Sequence, residues 1–190
     1  SWSQAAAARF RAKRAELALA VTYKSEPGVG YTALAQEIVG ANPDSVIVAA
    51  SAADTALLAQ QIVRLNDQLA LAASPWAGTE QFPEMGGRAL EGMLVAQYFD
   101  RDSTAAPYLG FVDRFRARFG EPPGYPAVNG YDALMFGIEG LRRRGSGSLL
   151  SSLAGMRSHE GLQRIVLMDA NGDTRSPMYL AEVKSGRYVS

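Results

Sequence analysis

No cysteine occurs among the 190 residues, and only one histidine does. Disulfides, thiolate metal sites and cysteine nucleophiles are therefore excluded. A zinc site built from cysteine and histidine would be short of ligands. The histidine, His159, stands in the polar stretch Arg157-Ser158-His159-Glu160-Gly161, which reads as a surface loop. A serine triad would need it as base, and no G-x-S-x-G elbow is present to carry the nucleophile. Charge of one sign is also missing: 19 basic residues balance 19 acidic ones. A nucleic-acid or anionic-membrane surface would need a basic excess. No apolar run approaches the roughly 20 residues that span a bilayer. Ser1-Trp2-Ser3-Gln4 is not the charged start of a signal peptide. The expectation is a globular chain with no catalytic residues, no metal and no cofactor. Its 47% hydrophobic content suffices for a buried core.

What is present is an alternation of helical and strand patterns. Residues 4 to 16 read as an alanine-rich helix and Leu17 to Tyr23 as a strand. Gly28 to Ala41 is helical, with Tyr31, Leu34, Ala35 and Ile38 in one stripe. After the Asn42-Pro43-Asp44 turn, Ser45 to Ala50 is apolar throughout, as suits a parallel strand covered by helices. Asp54 reads as a helix cap, with Leu58, Ile62 and Leu65 as the buried stripe behind it. Strands follow over Gln68 to Ala73 and Gly92 to Phe99, with a short helix near Arg88. Such alternation implies βαβ units, a parallel sheet and an α/β fold. Beyond Asp102 the pattern becomes two amphipathic helices, with Tyr108, Phe111, Val112, Phe115 and Phe119 inward on the first. Tyr131, Leu134, Ile138 and Leu141 are inward on the second, which ends in Arg142-Arg143-Arg144. Cations at that end suit the helix dipole. The last segments, Arg164 to Asp169, Met178 to Lys184 and Arg187 to Val189, read as strands.

Several motifs carry two readings each. Gly28-x-Gly30-x-x-Ala33 matches a dinucleotide fingerprint. The loop Lys24 to Pro27 separates it from the preceding strand, however, and an ordinary glycine-rich loop fits better. Asp169, Asn171 and Asp173 open like a calcium loop, but Thr174 and Leu180 stand where that loop needs glycine and glutamate. An Asn-Gly turn between strands explains them. Trp76 follows the end of a predicted parallel strand, where open α/β sheets bind ligands. It is either a stacking wall or a loop tryptophan packed under the next helix. Ser51-Ala52-Ala53 holds the matching place on the strand before it. It offers a hydroxyl and helix N–H groups for a carboxylate, or Ser51 is a plain cap. Ser51, Ser74, Trp76 and Thr79, with Trp2 nearby, form the predicted ligand-facing set.

The run Phe119-Gly120-Glu121-Pro122-Pro123, followed by Gly130-Tyr131-Asp132-Ala133-Leu134, resembles the type I periplasmic-binding-protein family, the solute-binding proteins of amino-acid ABC transporters. Asn42-Pro43-Asp44, Gly87-Arg88-Ala89-Leu90-Glu91-Gly92 and Asp169 to Asp173 match further family elements in the same order. The resemblance implies a flavodoxin-like parallel sheet flanked by helices on both faces. It implies a second lobe over residues 1–98, helices returning to a first lobe over 99–160, and terminal strands over 161–190. Most of the first lobe is then expected to lie outside this sequence. The family function implied is ligand capture in a cleft and delivery to a membrane permease, from a periplasmic or extracellular location, free or lipid-anchored. Trp2, Ser51, Ala52, Trp76 and their neighbours fall at family ligand positions. Pro75-Trp76 replaces the glutamate that binds the ammonium of amino-acid ligands. The alternative roles on the same fold are a scaffold that activates a peptidoglycan synthase, and a sensor domain.

Overall fold

The computed structural model describes residues 8–9, 12–13, 16–25, 30–169, 171–175 and 177–189. Contacts divide the chain into two units. The first comprises Ser1–Ala77, Gln81–Val95 and Glu182–Val189, and the second comprises Gly78–Glu80 and Ala96–Ala181.

In the first unit, helix α1 (Thr32–Gly40) leads to strand β1 (Ser45–Val48). Asn42 makes that turn in the left-handed region, φ 50, and its N–H reaches Val39 O. Pro43 then prevents the helix from continuing. Helix α2 (Ala52–Leu65) connects β1 to β2 (Ala70–Ala73). A single turn at Pro75–Ala77, the short α3 (Phe82–Met85) and a turn at Gly87–Leu90 lead to β3 (Leu94–Gln97). β1, β2 and β3 are parallel neighbours, with Val48 opposite Ala73 and Ala73 opposite Val95. One face of this sheet, with Val48, Leu71, Ala73 and Val95, joins Leu58, Ala59 and Ile62 of α2 in the core. On the other face Ile47 and Leu94 are exposed.

The sheet order is completed by β7 (Tyr179–Lys184) and β8 (Arg187–Val189), giving β1-β2-β3-β7-β8. The join to β3 depends on a glycine. Gly92 N–H donates to Val183 O at 2.8 Å, and Val183 N–H donates to Met93 O at 2.9 Å. Two residues thus oppose one, and the first has φ 78. That is the glycine-type β-bulge. The same glycine closes a type II turn, since Met93 N–H returns to Leu90 O. Glu91 then receives the Ser185 N–H of the β7–β8 hairpin at 2.9 Å. The Glu91-Gly92 pair therefore ties the strand start to the terminal hairpin.

The second unit holds helices α4 (Ala106–Phe119), α5 (Tyr125–Arg143) and α6 (Leu149–Gly155). It also holds an antiparallel sheet of β4 (Ser158–Glu160), β5 (Ile165–Met168) and β6 (Thr174–Arg175). Gly120 ends α4 at φ 82, the left-handed cap that the Phe119-Gly120 pair supplies. Phe99, Tyr108, Phe111, Val128 and Leu162 form its core.

Three expectations are corrected. Leu17 to Tyr23 is not a strand: residues 16–25 have no regular structure, and Leu17 and Val21 are exposed. Apolar content marks what can be buried, but a strand also needs a neighbouring backbone. Among the described residues β1 pairs with β2 alone. Leu134 and Leu141, read as inward, are exposed, because the buried line of α5 runs instead through Val128 and Gly140; Leu65 at the end of α2 and Phe119 at the end of α4, read the same way, are exposed as well. His159 lies in strand β4, half-buried, with its ring edge-on to Phe136 at 5.7 Å.

Candidate functional site

The carboxyl ends of β1 and β2 are adjacent, and each releases a serine. Ser51 caps α2: its Oγ accepts the Asp54 N–H at 3.2 Å while its backbone is extended. Ala52 is the first helical residue behind it. Of the two caps the sequence offered, Asp54 and Ser51, the serine takes the place because its short side chain reaches the free N–H three residues on. Ser74 prolongs the ladder one step past β2, its N–H donating to Val48 O at 2.9 Å. It is 6% exposed, and its Oγ has no hydrogen-bond partner. A buried hydroxyl without a partner costs about 1–3 kcal/mol. Trp76 follows in the turn Pro75–Ala77, which packs on α2. It is 51% exposed. The first unit thus brings Ser51, Ala52, Ser74 and Trp76 to one sheet edge. Thr79 is half-buried and belongs to the second unit. Trp2 lies outside the described residues.

Sequence reading missed the charge at this edge. Tyr31 hydroxyl donates to Asp54 Oδ1 at 2.6 Å, and Tyr23 hydroxyl donates to Oδ2 at 3.1 Å. The two rings meet edge to face at 5.7 Å. The Tyr31 hydrogen bond is the largest cause holding the Asp54 carboxyl below its ordinary range. The same bond pushes the Tyr31 phenol up to about 12, and burial raises Tyr23 still further. Asp54 therefore compensates the positive N-terminus of α2 from within its first turn. A ligand carboxylate aimed there would meet a carboxylate already in place. No spacing rule links residues 23, 31 and 54, because the contact depends on a loop fold.

The other singled-out motifs have structural work. Asp132 Oδ1 accepts the Leu162 N–H at 2.8 Å, and burial raises its carboxyl above the usual range. The Asp169 carboxylate accepts the Asn171 and Asp173 N–H groups at 2.8 and 3.0 Å, folding the turn between β5 and β6 with Gly172 at φ 86. No group of potential metal ligands occurs among the described residues. Gly28 lies outside the described residues, and Gly30 precedes Tyr31, the cap of α1. A cavity of about 420 Å³ lined by Val63, Asp67, Leu71, Arg88 and Met93 lies at the amino ends of β2 and β3, opposite the serine edge.

Comparison with known families gives one profile, described as periplasmic binding protein, that matches residues 1–187. The chain belongs to the periplasmic binding protein family. Its fold is that of the type I members, a mainly parallel sheet flanked by helices. A leucine binding protein, LivK, from Thermotoga maritima is 24% identical with a TM-score of 0.81, covering 89% of this chain and 49% of that one. A solute binding protein of an ABC transporter from R. palustris, solved with benzoate, is 22% identical with a TM-score of 0.80, covering 96% and 51%. An extracellular ligand-binding receptor from Rhodopseudomonas palustris HaA2 is 18% identical with a TM-score of 0.82, covering 97% and 57%. At these identities the likeness is one of fold. This periplasmic binding protein chain spans about half the length of those solved structures. No curated protein matches it. No helix among its described residues is long and apolar enough to cross a membrane.

Proposed function

We propose that this chain forms the ligand-holding part of a solute-binding component of an ABC-type importer, non-enzymatic and working outside the cytoplasmic membrane with a permease as partner. The ligand is a small organic acid with an apolar or aromatic body, in the wider class that includes amino acids. One observation carries the reading: Trp76 is exposed beside a buried, unsatisfied Ser74 hydroxyl at the carboxyl edge of the parallel sheet. A flat apolar wall next to one convergent polar group is the composition of a small-molecule site. Ser51 and Ala52 line the same edge, and Thr79 and Trp2 complete the proposed set. Family membership supports the role, and a solved relative in complex with benzoate supports the choice of acid.

Titration calorimetry with benzoate, 3,4-dihydroxybenzoate, leucine and isoleucine tests it. Saturable binding of at least one acid, weakened by Trp76→Ala, is the expected result. Absence of binding across the panel, together with ligand-independent capture of a peptidoglycan synthase, would move the role to a scaffold.

A further inference from the structure

The loop after β2 departs from the first unit for three residues. Gly78–Glu80 makes its contacts within the second unit, although the chain on either side belongs to the first. Glu80 is the residue that holds it. Arg101 Nη1 donates to Glu80 Oε2 at 2.6 Å, and Arg101 Nη2 donates to Gln97 Oε1 at 3.2 Å. The guanidinium lies over the Phe99 ring at 4.8 Å. Gln97 ends β3 and is 2% exposed, so the second arm of the arginine fork is fixed in the sheet. Lysine has no such fork and could not hold both partners in one plane.

The second oxygen of Glu80 packs against the start of α5. A methyl group on Gly124, the N-cap, would stand 2.8 Å from Glu80 Oε1 and 3.0 Å from its Cγ, so a side chain there would push the carboxylate aside. The helix needs it. α5 has no side-chain cap, no acidic residue in its first turn, and a proline among its first residues. The negative charge that suits a helix N-terminus arrives instead from the loop after β2. Oε1 makes no hydrogen bond there, so the attraction is one of charge to dipole. The side chains of Arg101 and Glu80 are 17% and 33% exposed. A pair so open to solvent contributes little net stability; what it fixes is geometry.

We propose that Glu80 and Arg101 are positioning residues for the ligand loop. Their ion pair, seated on the N-terminus of α5, sets the backbone of residues 78–80 and with it Thr79. Neither side chain belongs to the proposed ligand-facing set. The link to affinity rests on the solute-binding reading above; the anchoring of the loop does not.

The test uses three variants of the 190-residue chain. Glu80→Gln keeps the shape and removes the charge. Arg101→Lys keeps the charge and removes the fork. Gly124→Ala drives the carboxylate from the helix end. Amide hydrogen exchange is measured over residues 78–80, with β1 and β2 as the internal control for an intact fold. Calorimetry with benzoate is run in parallel. We expect exchange over 78–80 at least ten-fold faster in all three variants, unchanged protection in β1 and β2, and a benzoate Kd at least five-fold higher. Unchanged exchange in both Glu80→Gln and Arg101→Lys overturns the anchor. Faster exchange with unchanged benzoate affinity overturns the positioning role. A parent chain that binds none of the four acids defeats the solute-binding reading by itself, and the exchange data then decide the anchor alone.

Discussion

Replacing Trp76 with alanine separates a ligand wall from a packing residue. An indole side chain covers up to about 250 Å². Trp76 is 51% exposed, so roughly 120 Å² is open to a ligand on that area scale. At about 25 cal/mol per Å², full cover contributes about 3 kcal/mol. Partial overlap with a small acid brings the expected loss on truncation to about 1–3 kcal/mol, or roughly 5- to 150-fold in Kd. The covered half of the side chain sets the stability cost by the same arithmetic. About 3 kcal/mol is its upper bound, because the unfolded chain already hides part of that area. For a chain of this size 1 kcal/mol moves Tm by about 2–4 °C, so the fall should stay under about 12 °C. Calorimetry with benzoate and a thermal melt give both quantities on one sample. A larger Tm fall with an unchanged Kd would refute the reasoning and take Trp76 out of the site.

Three further outcomes test the structural devices. Gly92→Ala meets no atom within 4 Å but forces a side chain onto φ 78; chemical denaturation should show a loss of about 1–2 kcal/mol, and a loss below about 0.3 kcal/mol would dismiss the bulge. Asp132→Asn keeps an acceptor for the Leu162 N–H and removes a charge that burial disfavours, so it should be neutral or stabilising at pH 7. Asp132→Ala orphans that N–H and should cost about 1–3 kcal/mol; equal losses in the two variants would show that the hydrogen bond is not the point. The Tyr31 phenol, pushed up from 10.0 to about 12, contributes stability that is present in full below pH 10 and lost as pH rises through 12. Tyr31→Phe should therefore flatten the alkaline limb of the stability profile, and an unchanged limb would exclude this bond as its cause.

Legibility in the sequence followed the range of the contacts. Strands β1, β2 and β3 and the helices between them were readable because each is a continuous pattern. The FG and GYDAL elements were readable because they are local and ordered. Their physical meaning needed coordinates. Gly120 is a helix stop, Asp132 is an acceptor for a backbone N–H thirty residues on, and Gly92 is a bulge whose partner Val183 comes at the end of the chain. Leu17 to Tyr23 has the content of a strand, yet strand formation is a property of a pair. The tyrosine–Asp54 contacts and the Glu80–Arg101 pair join residues far apart in sequence through loops, and no spacing announces either.

The Asp54 contacts bear on which acid binds best. An α-amino acid brings an ammonium as well as a carboxylate, and a buried ammonium needs a counter-charge. Asp54 is the carboxylate beside Ser51, but Tyr31 and Tyr23 already donate to its two oxygens, and Ser25 and Ser51 also stabilise it. It is committed to the protein. Pro75 and Trp76 bring no charge to the end of β2, and Ser74 brings one hydroxyl. The polar demand of this edge is therefore small, and its apolar offer, the indole face, is large. Benzoate and leucine each bring one carboxylate, which must turn to the Ser74 hydroxyl and away from Asp54, and benzoate brings no second charge. Leucine adds an ammonium to be desolvated without a partner, a cost on the order of several kcal/mol. Calorimetry should accordingly show benzoate binding at least ten-fold tighter than leucine. Tyr31→Phe with Tyr23→Phe, which releases Asp54, should narrow the gap by strengthening leucine. Leucine binding tighter than benzoate in the unaltered chain would mean that a counter-charge reaches the ammonium from outside these residues, and that Trp76 does not set the ligand class.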